Sequence, residues 1–148
     1  MKVLIVDASI VVRERLLEDL LADLAHIEVV GQAKNAEEGR EFVRRLKPDV
    51  VILDVLLPKG SGTDLLTEIK RANPQAKAIV LTNYSDPNTR RRCVALGADR
   101  FLSKATELAR VGSVLRALSP PPNRNAFRPR FRRRHCTHRP TSGHLRAP

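Results

Sequence analysis

The chain has 148 residues, room for one domain and an appendage, and is 42% hydrophobic but only 3% aromatic, so its core must be built from Leu, Val, Ile and Ala. It carries 27 Lys and Arg against 16 Asp and Glu, yet eight arginines and no Lys, Asp or Glu fall in residues 119–148, leaving 19 basic and 16 acidic residues before Ser119. No apolar run approaches the roughly 18 residues of a membrane span. The chain opens on a strand pattern with no signal-peptide-like segment. Its two cysteines, Cys93 and Cys136, form no disulfide framework, so a reducing cytoplasm is expected and no membrane partner.

Residues 2–6 read as a short buried strand, followed by a helical spacing of Val12, Leu16, Leu17, Leu20, Leu21 and Leu24 with Ser9 as its cap. Ile27 to Ala33 predicts a second strand. Asn35-Ala36-Glu37-Glu38 has capping-box spacing and opens a helix that buries Phe42, Val43 and Leu46 and stops before Pro48. Asp49 to Leu53 is too continuously apolar for a half-exposed strand and fits a parallel sheet covered on both faces. The loop Pro58 to Gly62 leads into a helix from Thr63 to Ala72, broken by Asn73-Pro74. A fourth strand spans Ala76 to Thr82. Asp86-Pro87 starts a helix that ends near Gly97. Arg100 to Ser103 is a fifth strand, and Thr106 to Leu118 a last helix with Leu108, Val111, Leu115 and Leu118 on one face.

Five strands alternating with five helices predict an α/β fold with a doubly wound parallel sheet. The flavodoxin-like strand order 2-1-3-4-5 is the commonest solution at this size. After Ser119, Pro120-Pro121-Pro122 ends the last helix. Residues 119–148 are rich in Arg, Pro and His without periodicity and read as a disordered tail. The domain is expected at 1–118.

Polar residues stand where the apolar runs stop: Asp7, Asp54, Thr82 and, just after Phe101-Leu102, Lys104. In the predicted order the first and third strands are neighbours, so Asp7 and Asp54 meet at the carboxyl edge of the sheet, where open α/β folds bind ligands. Two carboxylates, a lysine and a hydroxyl there suit a divalent cation and a phosphoryl group. Alone, Asp7 would read as a helix cap, Lys104 as a solvated lysine and Thr82 as an ordinary strand residue.

The segments Lys2 to Asp7, Pro48 to Pro58, Ile79 to Thr82 and Gly97 to Lys104, in that order and spacing, resemble the receiver domain of two-component response regulators. The resemblance covers about residues 1–118. It implies that Asp54 accepts a phosphoryl group from a sensor histidine kinase or phosphotransfer protein. It also implies that Mg²⁺ is held by Asp7, Asp54 and the backbone carbonyl of Leu56. Lys104 would pair with the phosphoryl oxygens and Thr82 would donate to them. Phosphorylation would draw Thr82 toward the site and let Phe101 turn inward, changing the face of the fourth helix, fifth strand and fifth helix toward an output protein. Asn83 and Tyr84 would border the phosphoryl group. No second nucleophile or general base accompanies the site, so no turnover on a free substrate is expected.

Two positions depart from the family pattern. Ala8 stands where a second acid usually follows the first strand, which should weaken Mg²⁺ binding. Ala105 stands after Lys104 in place of a usual proline, where a cis bond would cost roughly 2.5–4 kcal/mol. The reading is a single-domain response regulator without a recognisable output domain. One alternative is a degenerate receiver acting as a phosphorylation-independent binding module. Another is loose nucleic-acid binding by the tail, whose arginines are interleaved with Phe127 and Phe131. His135, Cys136, His138 and His144 match no zinc spacing. Arg90-Arg91-Arg92 reads as a solvated helix face.

Overall fold

The structure, a computed structural model, describes residues 1–21, 27–83 and 86–118. The expected tail, Leu24, Tyr84 and the metal-capable residues near the C-terminus lie outside the described residues. Five parallel strands, β1 (Lys2–Val6), β2 (Glu28–Ala33), β3 (Val50–Leu53), β4 (Lys77–Thr82) and β5 (Arg100–Ser103), form one sheet in the order β2-β1-β3-β4-β5. The flavodoxin-like order expected from the sequence is the observed one.

Each strand sends alternate side chains to opposite faces, and both faces are covered. Val3, Ile5, Val50, Ile52, Ile79 and Leu81 pack with Leu16 and Leu20 of α1 (Ile10–Leu21) and with Val111 and Leu115. Leu4, Val6, Val51, Leu53 and Val80 face the other way, toward α2 (Ala36–Leu46), α3 (Gly62–Ala72) and α4 (Pro87–Ala95). All four residues of β3 are buried, which explains its unbroken apolar sequence. Leu21 is 74% exposed, a correction to its place in the expected apolar stripe. Five positions on from Leu16, it has rotated off the Leu16–Leu20 seam. No helix among the described residues is long and apolar enough to cross a membrane.

The caps follow the sequence signals. Asn35 accepts from the Glu38 N–H at 2.8 Å, and the Glu38 carboxylate reaches back to the Lys34 N–H at 3.1 Å, a capping box set one residue upstream. Asp86 accepts from the N–H groups of Asn88 and Thr89 and from the Thr89 hydroxyl. Gly97, at φ 102°, ends α4 where an L side chain would be strained.

The last helix differs from expectation. Instead of one helix over 106–118, a short α5 (Lys104–Glu107) is followed by a 3₁₀ turn (Leu108–Arg110) and α6 (Val111–Leu118). Glu107 takes a non-helical ψ of 6° and its carboxylate accepts from the Ser103 N–H at 3.0 Å. That bond holds the chain close to the end of β5. The apolar spacing passes through the break, so Val111 and Leu115 are still buried and Leu108 and Leu118 half-buried.

Asp99 ties three elements together at the opposite end of the sheet. Its Oδ2 accepts from Lys70 Nζ of α3 and from the Ala78 N–H of β4, both at 2.8 Å, just before β5 begins. Burial would raise its pKa, but these bonds outweigh it and hold the carboxyl below its ordinary 3.8. A depressed carboxyl stabilises the fold above its unfolded pKa and loses that contribution as pH falls through the folded one. Asp99→Ala is therefore expected to cost about 2 kcal/mol at neutral pH. In urea titrations the gap to the parent chain should close at pH values below 3.8. A gap unchanged into that range would show that the charge is irrelevant.

Candidate phosphoacceptor site

Register places the site. Val6 of β1 pairs with Leu53 of β3, so the next residues, Asp7 and Asp54, leave the sheet side by side. Backbone bonds pin both: the Asp7 N–H donates to the Ala33 carbonyl at 2.9 Å and the Asp54 N–H to the Val6 carbonyl at 3.1 Å. Thr82 ends β4 opposite Ser103, and Lys104 follows Ser103 as the first residue of α5. The four expected residues thus converge on one sheet edge. The peptide bond from Lys104 to Ala105 is trans.

Asp7 and Asp54 are 3% and 8% exposed. Lys104 lies between them, its Nζ 2.5 Å from Asp7 Oδ2 and in still closer contact with Asp54 Oδ2. The remaining oxygens are also engaged: Asp7 Oδ1 accepts from the Ser9 N–H at 2.8 Å and Asp54 Oδ1 from the Leu56 N–H at 3.2 Å. Burial would lower the Lys104 pKa. The hydrogen bonds to Asp54 and Asp7 prevail, and the ammonium is held above its ordinary 10.5. The site is therefore a bridged ion triad with one excess negative charge.

Two contacts were not legible in the sequence. Arg13 Nη1 donates to the Asp7 carbonyl at 2.6 Å, fastening the first turns of α1 over the end of β1. Gly62 opens α3 against β3: a Cβ there would sit 2.0 Å from the Asp54 carbonyl oxygen. A glycine next to a helix cap, here Ser61, was the available signal. Phe101 lies inward, 8% exposed, with Arg90 Cζ 6.0 Å from its ring centroid. Thr82 is fully buried, Leu56 is exposed, and so is Asn83.

The carboxylates at the edge, Asp7 and Asp54, offer oxygen donors. These fit Mg²⁺ in kind. Position 8 adds a methyl group rather than a third carboxylate, and both carboxylates are bridged by Lys104. Among the described residues no group of three or more His, Cys, Asp or Glu side chains is placed to hold a metal ion.

Residues 3–116 match the response regulator receiver domain family. The chain belongs to that family. It is 34% identical over 115 residues to the response regulator GacA of Pseudomonas syringae pv. syringae (strain B728a), covering 78% of this chain and 53% of GacA. To the chemotaxis protein CheY of Thermotoga maritima it is 33% identical over 118 residues, covering 80% of this chain and 97% of CheY. Among solved structures, the receiver domain of AraT, a response regulator from Geobacillus stearothermophilus, aligns with a TM-score of 0.71 at 29% identity, over 79% of this chain and 91% of that one. The receiver thus spans about half of relatives such as GacA and nearly all of CheY. As a receiver, the domain is a signalling module.

Proposed function

We propose that this receiver works in a phosphorelay in the cytoplasm as the phosphoacceptor domain of a response regulator. Asp54 accepts a phosphoryl group from a sensor histidine kinase or phosphotransfer protein, and the domain then signals by protein contacts. The observation that carries this reading is the buried triad of Asp54, Asp7 and Lys104 at the β1–β3 crevice.

An oxygen of the Asp54 carboxylate attacks phosphorus, and the P–N bond to the donor imidazole breaks as the new P–O bond forms. Lys104 neutralises the resting carboxylate and stands ready to pair with the phosphoryl oxygens as their charge arrives. Thr82 donates its hydroxyl to the same oxygens. Asp7, Asp54 and the Leu56 carbonyl would hold Mg²⁺, which when bound offsets the charge between carboxylate and phosphoryl group. With Phe101 already inside, phosphorylation acts by drawing Thr82 toward the site and keeping Phe101 in.

A second reading is favoured by a specific observation. With Ala8 in place of an acid and both remaining carboxylates clamped by Lys104, the receiver could act as a constitutive binding module. Incubation with acetyl phosphate and Mg²⁺, followed by intact-mass analysis, separates the two. One phosphoryl group on the parent chain supports the first reading, and none supports the second. Ala8→Asp is expected to tighten Mg²⁺ binding by about tenfold, since the exposed position 8 admits another hard oxygen ligand. Calorimetric titration showing equal or weaker binding would mean that another group already serves there.

A further inference from the structure

The turns that close α2 and α3 leave a cleft between them. Its volume is about 370 Å³, inside the range of roughly 300–1,000 Å³ that holds small organic ligands. Val43 and Ile69, one from each helix, line it together with Pro48 and Ala76, which stand just before β3 and β4. Ile69, Pro48 and Ala76 are buried and Val43 is half-buried, so the interior is apolar. Arg44 and Lys47 also line the cleft, and no Asp or Glu does. Both cations are exposed, and among the described residues neither has a carboxylate within ion-pair range. The nearest acid along the chain, Asp49, accepts from the Lys2 N–H at 2.8 Å.

Lys47 is at odds with its own backbone. It caps α2 at φ 45°, in the left-handed region, where glycine is the usual residue and a side chain is strained. The chain nevertheless keeps an ammonium there. The ends of α2 and α3 each contribute about half a negative charge from their last carbonyls. Arg44 and Lys47 carry one full positive charge each, so the rim stays positive after that offset.

We propose that this cleft binds a small organic carboxylate with an apolar body, the body packed on Val43 and Ile69 and the carboxylate paired with Arg44 and Lys47. A guanidinium grips a carboxylate with two parallel bonds, and the ammonium adds a point charge beside it. An inorganic anion would leave the apolar interior unfilled, and an alcohol would leave the two cations unanswered. The cleft lies where β3 begins, whereas Asp54 follows the last residue of that strand. The two sites are separate, and binding in the cleft does not depend on phosphoryl transfer.

The test titrates sodium octanoate, below its micelle concentration, into the full chain and follows the backbone amides by NMR. Octanol and sodium acetate are the controls. Octanoate should shift the amides of residues 43–47 and 69–73, and acetate should leave them in place. Octanol should bind about tenfold more weakly than octanoate. Arg44→Gln/Lys47→Gln is expected to weaken octanoate binding by about tenfold and to leave octanol unchanged. Ala72 also lines the cleft, and Ala72→Phe, which adds a ring there, should weaken both. Lys47→Gly separates the charge from the fold: relief of the left-handed strain should hold or raise Tm while octanoate binding falls. No shifts at 43–47 and 69–73, shifts confined to residues 119–148, or acetate shifting the same amides equally would overturn the proposal. So would equal octanoate binding by the double variant, or a Lys47→Gly chain that loses Tm and keeps its affinity.

Discussion

Asp54→Asn is expected to bring phosphoryl labelling by acetyl phosphate to background. The substitution keeps the size of the side chain and leaves an oxygen to accept the Leu56 N–H, so the β3–α3 turn should survive. It removes the anionic oxygen that attacks phosphorus, and a carboxamide is no substitute nucleophile. Asp7 is the obvious competitor, equally buried and bridged to the same lysine. Its carboxylate is tied to the Ser9 N–H and stands on the neighbouring strand. Peptide mapping of the labelled parent should therefore find the group on Asp54. Undiminished labelling of Asp54→Asn, or a phosphoryl group on Asp7, would remove Asp54 from its assigned role.

Lys104→Met should have the largest effect on stability. The lysine side chain is 9% exposed and bridges two carboxylates that are similarly buried. Removing it leaves two buried like charges facing each other. Breaking a buried pair in this way costs about 3 kcal/mol or more, a fall of roughly 10 °C in Tm at this size. Added Mg²⁺ should recover more stability in the variant than in the parent, because the carboxylates no longer have an internal counter-charge. The parent has a matching alkaline signature. A raised lysine pKa contributes stability fully below 10.5, and that contribution is lost as pH rises through the folded value. The difference in Tm between parent and Lys104→Met should therefore shrink only in strongly alkaline solution. Equal Tm values at neutral pH would show that the triad does not stabilise the fold.

The sheet was legible because its strands are nearly continuous apolar runs, and such runs have few uses other than as buried parallel strands. Once β1 and β3 were neighbours, Asp7 and Asp54 had to meet. Lys104 and Thr82 could be placed at the same edge, but sequence position says nothing about which carboxylate the ammonium chooses. It bridges both. The break in the last helix was hidden because Leu108, Val111 and Leu115 keep helical spacing on either side of Glu107, whose bond to Ser103 is tertiary in origin. In the sequence Gly62 reads as one more loop glycine. Its need appears only when α3 is seen seated on the Asp54 carbonyl. The burial of Phe101 depends on how α4 packs against β5.

The helices are held to the sheet with unequal strength. α3 would have to surrender Leu65, Leu66 and Ile69 to leave its seat, whereas α4 has a single fully buried side chain, Cys93. At roughly 1.5–3 kcal/mol per large apolar side chain, lifting α3 approaches the cost of unfolding the domain, while lifting α4 does not. Beside α3, α4 is a loosely hinged shutter. Cys93 is the latch on the inner face of that shutter, its thiol pKa pushed up by burial, and any lifting of α4 would carry it toward solvent.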